Sequence, residues 1–126
     1  MAFSNVPVGV YGNTEAAADL TTKLFHGGVI DSTGKIDAVA TAGAAIDGVI
    51  TMDSPKDRAA RLVFLGVEKI ALGGTVTFAD ELAVDADGAF VVATTCDVIV
   101  GRCLLGGAVG GVGTMIIYPK AQSVSA

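Results

Sequence analysis

The densest group of chemically active side chains in the sequence is a run of four carboxylates: Asp80, Glu81, Asp85 and Asp87. Carboxylates this close together can bind Ca²⁺, and a pair of them can catalyse hydrolysis. An EF-hand calcium loop, however, requires a Glu at a fixed position after its glycine, and Thr94 stands at that position after Gly88. Asp85-Ala-Asp-Gly88 matches a hairpin turn instead, so we predict no metal site here.

The other reactive groups lack partners. His26 is the only histidine, so a metal site with several His ligands cannot form, and it is interpreted as a capping or surface residue. Cys96 and Cys103 are interpreted as reduced, structural residues, since Asp97 disfavours a thiolate at Cys96. No Gly-x-Ser-x-Gly nucleophile motif occurs. The sequence therefore predicts a protein that is not an enzyme and that has no cofactor.

Two loops each carry part of a known binding or carrier motif, but neither motif is complete. The glycine-rich run at residues 105–113 lacks the Gly-Lys-[Ser/Thr] ending of a phosphate-binding loop and precedes a strand pattern rather than a helix. It is more typical of a loop between strands or of close contact with a neighbouring subunit. Lys35 follows a predicted turn, as the modified lysine of a lipoyl-type carrier does, but the Asp-Lys-Met context is missing. That alternative stays open.

The composition indicates a surface that partners cover. Hydrophobic residues make up 52% of the chain, but aromatic residues only 6%. Charged residues make up 17%, below the roughly 25% of ordinary soluble domains. Because a chain of 126 residues exposes much of its surface, this low charge predicts a homo-oligomer.

Nucleic acid and membrane are not expected partners. The net charge is −5 and the 8 basic residues are scattered, whereas phosphate binding needs clustered Lys and Arg. The longest uncharged stretch, residues 103–119, is interrupted by glycines and is short for a membrane span. No secretion signal follows Met1, so synthesis and folding in the cytoplasm are expected.

Short strands and tight turns dominate from residue 29 onward. Asp31-Ser-Thr-Gly34 and Asp85-Ala-Asp-Gly88 predict hairpins. The predicted strands are residues 62–65, 67–70, 75–78, 91–92, 98–100 and 115–118. These patterns predict a mainly β protein, with a compact β-barrel or β-clip-like domain at residues 29–120 and a tail at residues 121–126. Residues 53–61 are expected to form a charged loop.

Residues 1–28 form a predicted N-terminal arm, with a short helix allowed at residues 14–26. Residues 1–14 are uncharged, and their Pro and Gly residues favour an extended chain. Alternating valines could add a strand to the sheet of another protein, so the arm is predicted to dock on a partner protein or an adjacent subunit and to be ordered only there. The alternative is that it forms the first strand of the chain's own sheet.

The sequence also suggests an internal duplication. The shift that places Asp31 on Asp85 also places Gly34 on Gly88 and Thr41 on Thr95. It places residues 62–64 on residues 116–118, and a one-residue offset brings Asp47-Gly48 onto Val100-Gly101. Two similar halves would then build the compact domain.

The segment from Gly66 to Gly88 resembles a pattern in the capsid decoration (cement) proteins of tailed bacteriophages. In that pattern, a strand after Gly-Val leads to a glycine turn, and the next strand ends in a Val-Asp-x-x-Gly hairpin. Ile99-Val-Gly-Arg-Cys-Leu104 and the glycine-rich loop with its terminal strand, residues 106–118, resemble the next two segments of the pattern. The similarity covers roughly residues 29–119, and the uncharged N-terminal region is longer than the pattern needs.

The resemblance implies a β-barrel-like, often trimeric protein on the outside of a phage head, which bridges major capsid proteins and stabilises the shell. The expected partners are therefore the major capsid protein and further copies of this chain, and the expected location is the exterior of the virion capsid. Candidate contact residues are Phe3, Val6, Pro7, Val8, Val10, Tyr11, Gly107, Val109 and Gly110. A non-enzymatic β-clip-type binding module is the alternative, although the few aromatic residues give it no obvious platform.

Overall fold

The computed structural model describes residues 6–95 and 97–123, with side chains described for residues 9–95 and 97–118. Within this part the chain forms nine strands and no helix. The strands are β1 (Val6–Glu15), β2 (Gly27–Ile30), β3 (Ile36–Ala38), β4 (Gly48–Ile50), β5 (Ala59–Ala71), β6 (Glu81–Val84), β7 (Phe90–Val92), β8 (Val98–Leu105) and β9 (Val112–Ser123).

All strands pair antiparallel in one curled sheet. The order is β3-β2-β4-β5-β9-β8-β6-β7, and β1 pairs with β5 outside this order. Both ends of the sheet turn back on the chain, because single parallel bridges join β3 at Ile36 to Ala16 and β7 at Phe90 to Leu72. This architecture confirms the predicted mainly β, barrel-like fold class.

Both predicted hairpins are present. The Asp31-Ser-Thr-Gly34 turn joins β2 to β3, and the Asp85-Ala-Asp-Gly88 turn joins β6 to β7. Gly34 has a φ of 84° and Gly88 a φ of 86°, values that glycine adopts without steric cost.

Gly34→Val and Gly88→Val are each expected to lower the free energy of unfolding by about 1 kcal/mol or more, because a β-branched side chain is strained at positive φ. At Gly88 the added Cβ would also lie 3.2 Å from the carbonyl oxygen of Val39. Urea denaturation measures the effect. Gly74→Val is the control, since Gly74 has no positive φ and only Val91 nearby, at 3.6 Å. Unchanged stability of both hairpin variants would contradict the turn assignment.

The chain consists of two similar repeats that share β5. Repeat 1 comprises β1–β5 and repeat 2 comprises β5–β9. The β2–β3 hairpin pairs Gly28 with Ala38, and the β6–β7 hairpin pairs Leu82 with Val92 at the corresponding positions. The structure therefore bears out the internal duplication.

The one-residue offset in the second part of the repeat is also correct. A Cβ on Gly48 would contact Leu62 and the carbonyl of Val63, whereas a Cβ on Gly101 would contact Met115 and the carbonyl of Ile116. Gly48 thus corresponds to Gly101. The predicted match of Leu62 with Ile116 is wrong by one residue, because the offset continues into β9 and brings Leu62 onto Met115.

Backbone hydrogen bonds outside the strand ladders recur in both repeats. Two such matches are Ala17 N to Ile36 O with Gly73 N to Phe90 O, and Phe25 N to Ile50 O with Ala79 N to Cys103 O, all between 2.7 and 2.9 Å. Phe25 and Ala79 even share a positive φ, of 65° and 71°. Because non-glycine residues seldom adopt such a φ, the shared conformation identifies the two loops as equivalent.

Each repeat has its own core of equivalent residues. The core of repeat 1 is Ala16, Leu20, Ile36, Ile50, Ala60 and Leu62. The corresponding buried positions of repeat 2 are Leu72, Val76, Phe90, Cys103, Gly113 and Met115. The cluster in repeat 2 also includes Val39, Val49 and Val63 from repeat 1, so the two repeats pack together.

The short helix allowed at residues 14–26 is absent. β1 continues through Glu15, and the N–H groups of Ala16, Ala17 and Leu20 donate to distant segments. Leu20 N, for example, donates to Ser54 O at 2.8 Å. A helix would need these N–H groups to bond within the segment, so tertiary pairing prevents it.

Residues 6–15 form the first strand of the chain's own sheet, which was the alternative to a free arm. β1 pairs with β5 from Val6 opposite Val67 to Glu15 opposite Ala59. A segment that is ordered only on a partner is therefore wrong for residues 6–15, since β5 supplies the backbone partners within the same chain.

Several predicted boundaries also differ. Residues 62–65 and 67–70 belong to one strand, β5, which passes through Gly66 at a φ of 113°. Residues 75–78 form only a single bridge, between Val76 and Gly107. The predicted domain limit at residues 28 and 29 falls inside β2, and β9 extends to Ser123. The charged segment before β5 is a loop, as expected, up to Arg58.

Candidate interaction surface

Two of the four carboxylates of the acidic cluster, Asp80 and Asp85, accept hydrogen bonds within turns. Asp85 Oδ1 accepts hydrogen bonds from the backbone N–H groups of Asp87 and Ala89, at 2.9 and 3.0 Å. Asp80 Oδ2 accepts from the backbone N–H and the hydroxyl of Thr77. Within residues 6–95 and 97–123 no group of three or more His, Cys, Asp or Glu side chains could hold a metal ion.

The environments of His26 and Cys103 also indicate structural roles for these two residues. His26 Nδ1 lies 3.0 Å from the carbonyl oxygen of Leu24. Cys103 is fully buried, and burial together with the nearby charge of Asp80 raises the pKa of its thiol. The neutral thiol is therefore favoured at Cys103. Cys96 lies outside the described residues.

An open groove lies where the two repeats meet. It has a volume of about 280 Å³ and is lined by Ile46, Asp47, Gly48, Phe64, Leu65, Val100, Ile117 and Tyr118. Its one carboxylate, Asp47, accepts a hydrogen bond from Ile30 N at 2.7 Å. The lining residues include no base paired with a nucleophile. The groove therefore offers a surface for binding but no catalytic pair.

The predicted contact residues at the N-terminus lie along β1. Val6, Pro7 and Val8 belong to this strand, whereas Phe3 lies outside the described residues. Val10 is 48% exposed. Tyr11 is half-buried, and its hydroxyl donates to the carbonyl oxygen of Gly34 at 2.7 Å. Tyr11 thus has a structural role in repeat 1, while Val10 presents apolar surface.

The other predicted contact residues lie in repeat 2, on the loop between β8 and β9, residues 107–111. Gly107 bridges Val76 on one side of this loop. Val109 is 68% exposed, and Gly110 has a φ of 83°. β1 and this loop therefore place the predicted contacts in different repeats.

Sequence reasoning missed two exposed apolar residues beside this loop. Phe78 is 67% exposed, with the guanidinium of Arg102 5.7 Å from its ring centroid. Val112, at the start of β9, is 51% exposed. Phe78 falls in a predicted strand, where alternate side chains are buried.

Exposed charged groups in repeat 1 form a small ion-pair network. Lys35 Nζ lies 3.5 Å from a Glu15 carboxylate oxygen and 3.4 Å from one of Asp57. Asp57, and then Glu15, raise the pKa of Lys35. The hydrogen bond from the Thr33 hydroxyl is the main cause that lowers the pKa of Asp31 in the adjoining turn. All of these groups face water.

No model of a known protein family matches the sequence, and no curated protein sequence matches it. One solved structure, described as the N base of the head fiber gp8.5 in bacteriophage phi29, is similar to this chain with a TM-score of 0.70. The match covers 92% of this chain and 98% of the other, at 15% sequence identity. The two proteins share a fold. Among the described residues no helix is long and apolar enough to cross a membrane.

Proposed function

We propose that this chain is a structural protein of a tailed-phage head, which binds the outside of the shell and stabilises it by bridging major capsid proteins. The observation that carries the proposal is the likeness over 92% of the chain to the base of a phage head fiber. In this proposal the protein is made in the host cytoplasm and is located on the capsid exterior. It has no enzymatic activity.

Exposed apolar side chains on a protein with little charge support binding by surface burial. Val10, Phe78, Val109 and Val112 each expose between 48% and 68% of their surface, and only 17% of the residues are charged. Burying apolar area stabilises a contact by roughly 25 cal/mol per Å². Many copies on one shell would multiply a modest contact.

The same composition supports self-association. Copies of the chain would form a homotrimer, and each trimer would bridge neighbouring capsid proteins. Sedimentation at micromolar concentration tests this part of the proposal. A mass of 12.5 kDa, that of a single chain, would count against it.

Binding to assembled heads tests the function. Purified protein is mixed with phage heads that lack it, and the heads are pelleted through a sucrose cushion. The protein should sediment with assembled heads in a saturable ratio and should not associate with free capsid subunits. Heads coated in this way should also resist heat or chelator treatment better than bare heads. Absence of binding to heads would contradict the proposal.

A further inference from the structure

Two loop segments share one backbone conformation. They are residues 54–58, in the loop between β4 and β5, and residues 107–111, in the loop between β8 and β9. Their matched hydrogen bonds are Asp57 N to Ala16 O with Gly110 N to Leu72 O, Arg58 N to Pro55 O with Gly111 N to Ala108 O, and Ala16 N to Arg58 O with Leu72 N to Gly111 O. Asp57 and Gly110 also share a positive φ, of 65° and 83°. The two loops are therefore the same structural element with different side chains.

Their side chains differ in charge at every tip position. Lys56, Asp57 and Arg58 in repeat 1 correspond to Val109, Gly110 and Gly111 in repeat 2. All three charged residues are exposed, as is Val109.

The ion pairs beside the loop in repeat 1 also have no counterpart in repeat 2. Lys35 lies near Glu15 and Asp57. The positions that correspond to these three residues hold Ala89, Ala71 and Gly110. Repeat 2 thus lacks the charges of this ion-pair network, and the charged group beside Phe78 is the guanidinium of Arg102.

Because the charged loop and the uncharged loop adopt the same conformation, the fold itself does not require apolar residues at this position. An exposed apolar patch on a soluble protein is a feature of interaction sites. The comparison between the repeats therefore points to a binding role for the uncharged loop, with the charged loop as its soluble counterpart.

We infer that the uncharged end of the molecule, defined as residues 107–111 with Phe78 and Val112, docks on the capsid shell, and that the charged end, residues 54–58 with Glu15 and Lys35, faces the solvent. The inference rests on the proposed function. It assigns an orientation to the bound protein: repeat 2 lies against the shell and repeat 1 points outward.

The shell is a better occupant for the uncharged end than a second copy of the chain. Phe78, Val109 and Val112 offer only ~300 Å² of apolar side-chain surface, whereas a stable protein pair buries about 800 Å² on each partner. A shell can compensate for such a small contact, because a trimer docks through several copies at once.

Exchange of the loop tips tests the orientation. The first variant combines Val109→Lys, Gly110→Asp and Gly111→Arg, and so places the tip of the charged loop on repeat 2. Its fold should be retained, because repeat 1 already carries this tip on the same backbone. Its affinity for assembled heads should fall at least about tenfold, since charges would be desolvated against an apolar contact. The single substitution Val109→Lys, at a residue that is 68% exposed, provides a second variant that leaves the backbone unchanged.

The matched control carries the reverse exchange, Lys56→Val, Asp57→Gly and Arg58→Gly, and should bind heads like the parent protein. Equal binding by the parent and both variants of repeat 2 would overturn the inference. Dissociation of the oligomer by those variants in the absence of heads would also overturn it, because the loop would then be a contact between copies. If the parent protein itself fails to bind heads, the proposed function is wrong, which is a separate outcome.

Discussion

Gly48→Ala and Gly101→Ala are each expected to lower the free energy of unfolding by about 2 to 4 kcal/mol. At Gly48 the new methyl group would press on the carbonyl oxygen of Val63 and lie 2.6 Å from Leu62 Cδ2. At Gly101 it would press on the carbonyl oxygen of Ile116 and lie 2.5 Å from Met115 Sδ. Backbone cannot move aside without breaking the pairing of β4 with β5 or of β8 with β9.

Gly12→Ala is the matched control for both substitutions. Gly12 also lies in a strand, but the nearest atom to its added Cβ is Arg61 Cγ, at 3.8 Å. Its stability should change by no more than about 0.5 kcal/mol, because the methyl group has room. Thermal and urea unfolding measure all three variants. If Gly48→Ala and Gly101→Ala were as stable as Gly12→Ala, the close approach of the backbone to these two glycines would be wrong.

Deletion of residues 2–12 is expected to unfold repeat 1. The deletion removes most of β1, so the edge of β5 from Leu62 to Val67 loses its backbone partners. It also removes Tyr11, which packs on the core of repeat 1 and whose hydroxyl bonds to Gly34. The truncated protein should show a large loss of β-sheet circular dichroism or a much lower melting temperature.

Deletion of residues 2–5 is the control, since it leaves β1 complete. That variant should melt like the full chain. If the longer deletion also melted like the full chain but no longer coated heads, the N-terminal segment would be a contact with the shell rather than part of the sheet. The deletion therefore separates a structural strand from a docking arm.

Local sequence patterns were sufficient for the turns and for the repeat. Asp31 and Asp85 each precede a glycine at the spacing that a tight turn requires, and both turns form. The duplication was visible because turn residues and glycines of close approach, such as Gly48 and Gly101, depend on local geometry that both halves preserve.

Long-range pairing could not be predicted from the same patterns. β1 pairs with β5 far along the chain, and an uncharged extended segment has the same sequence signature whether its partner strand is in its own chain or in another. β5 continues through Gly66, where a strand break was expected, because β1 and β9 pair with it there on opposite edges.

The exposed apolar end of repeat 2 was only partly predicted, for a related reason. Val109 was identified from the glycine-rich loop alone. Phe78 was missed because a short apolar run predicts a strand, whereas the positive φ of Ala79 turns the chain at this point. Its exposure depends on a loop conformation that becomes recognisable only when the two repeats are compared.

A reconstruction by electron cryomicroscopy of phage heads saturated with the protein tests the central claim most directly. The account predicts regularly spaced density on the outer surface of the shell, fitted by this fold with residues 107–111 and Phe78 against the capsid protein and residues 54–58 facing the solvent. Heads without added density, or density fitted only with repeat 1 against the shell, would contradict it.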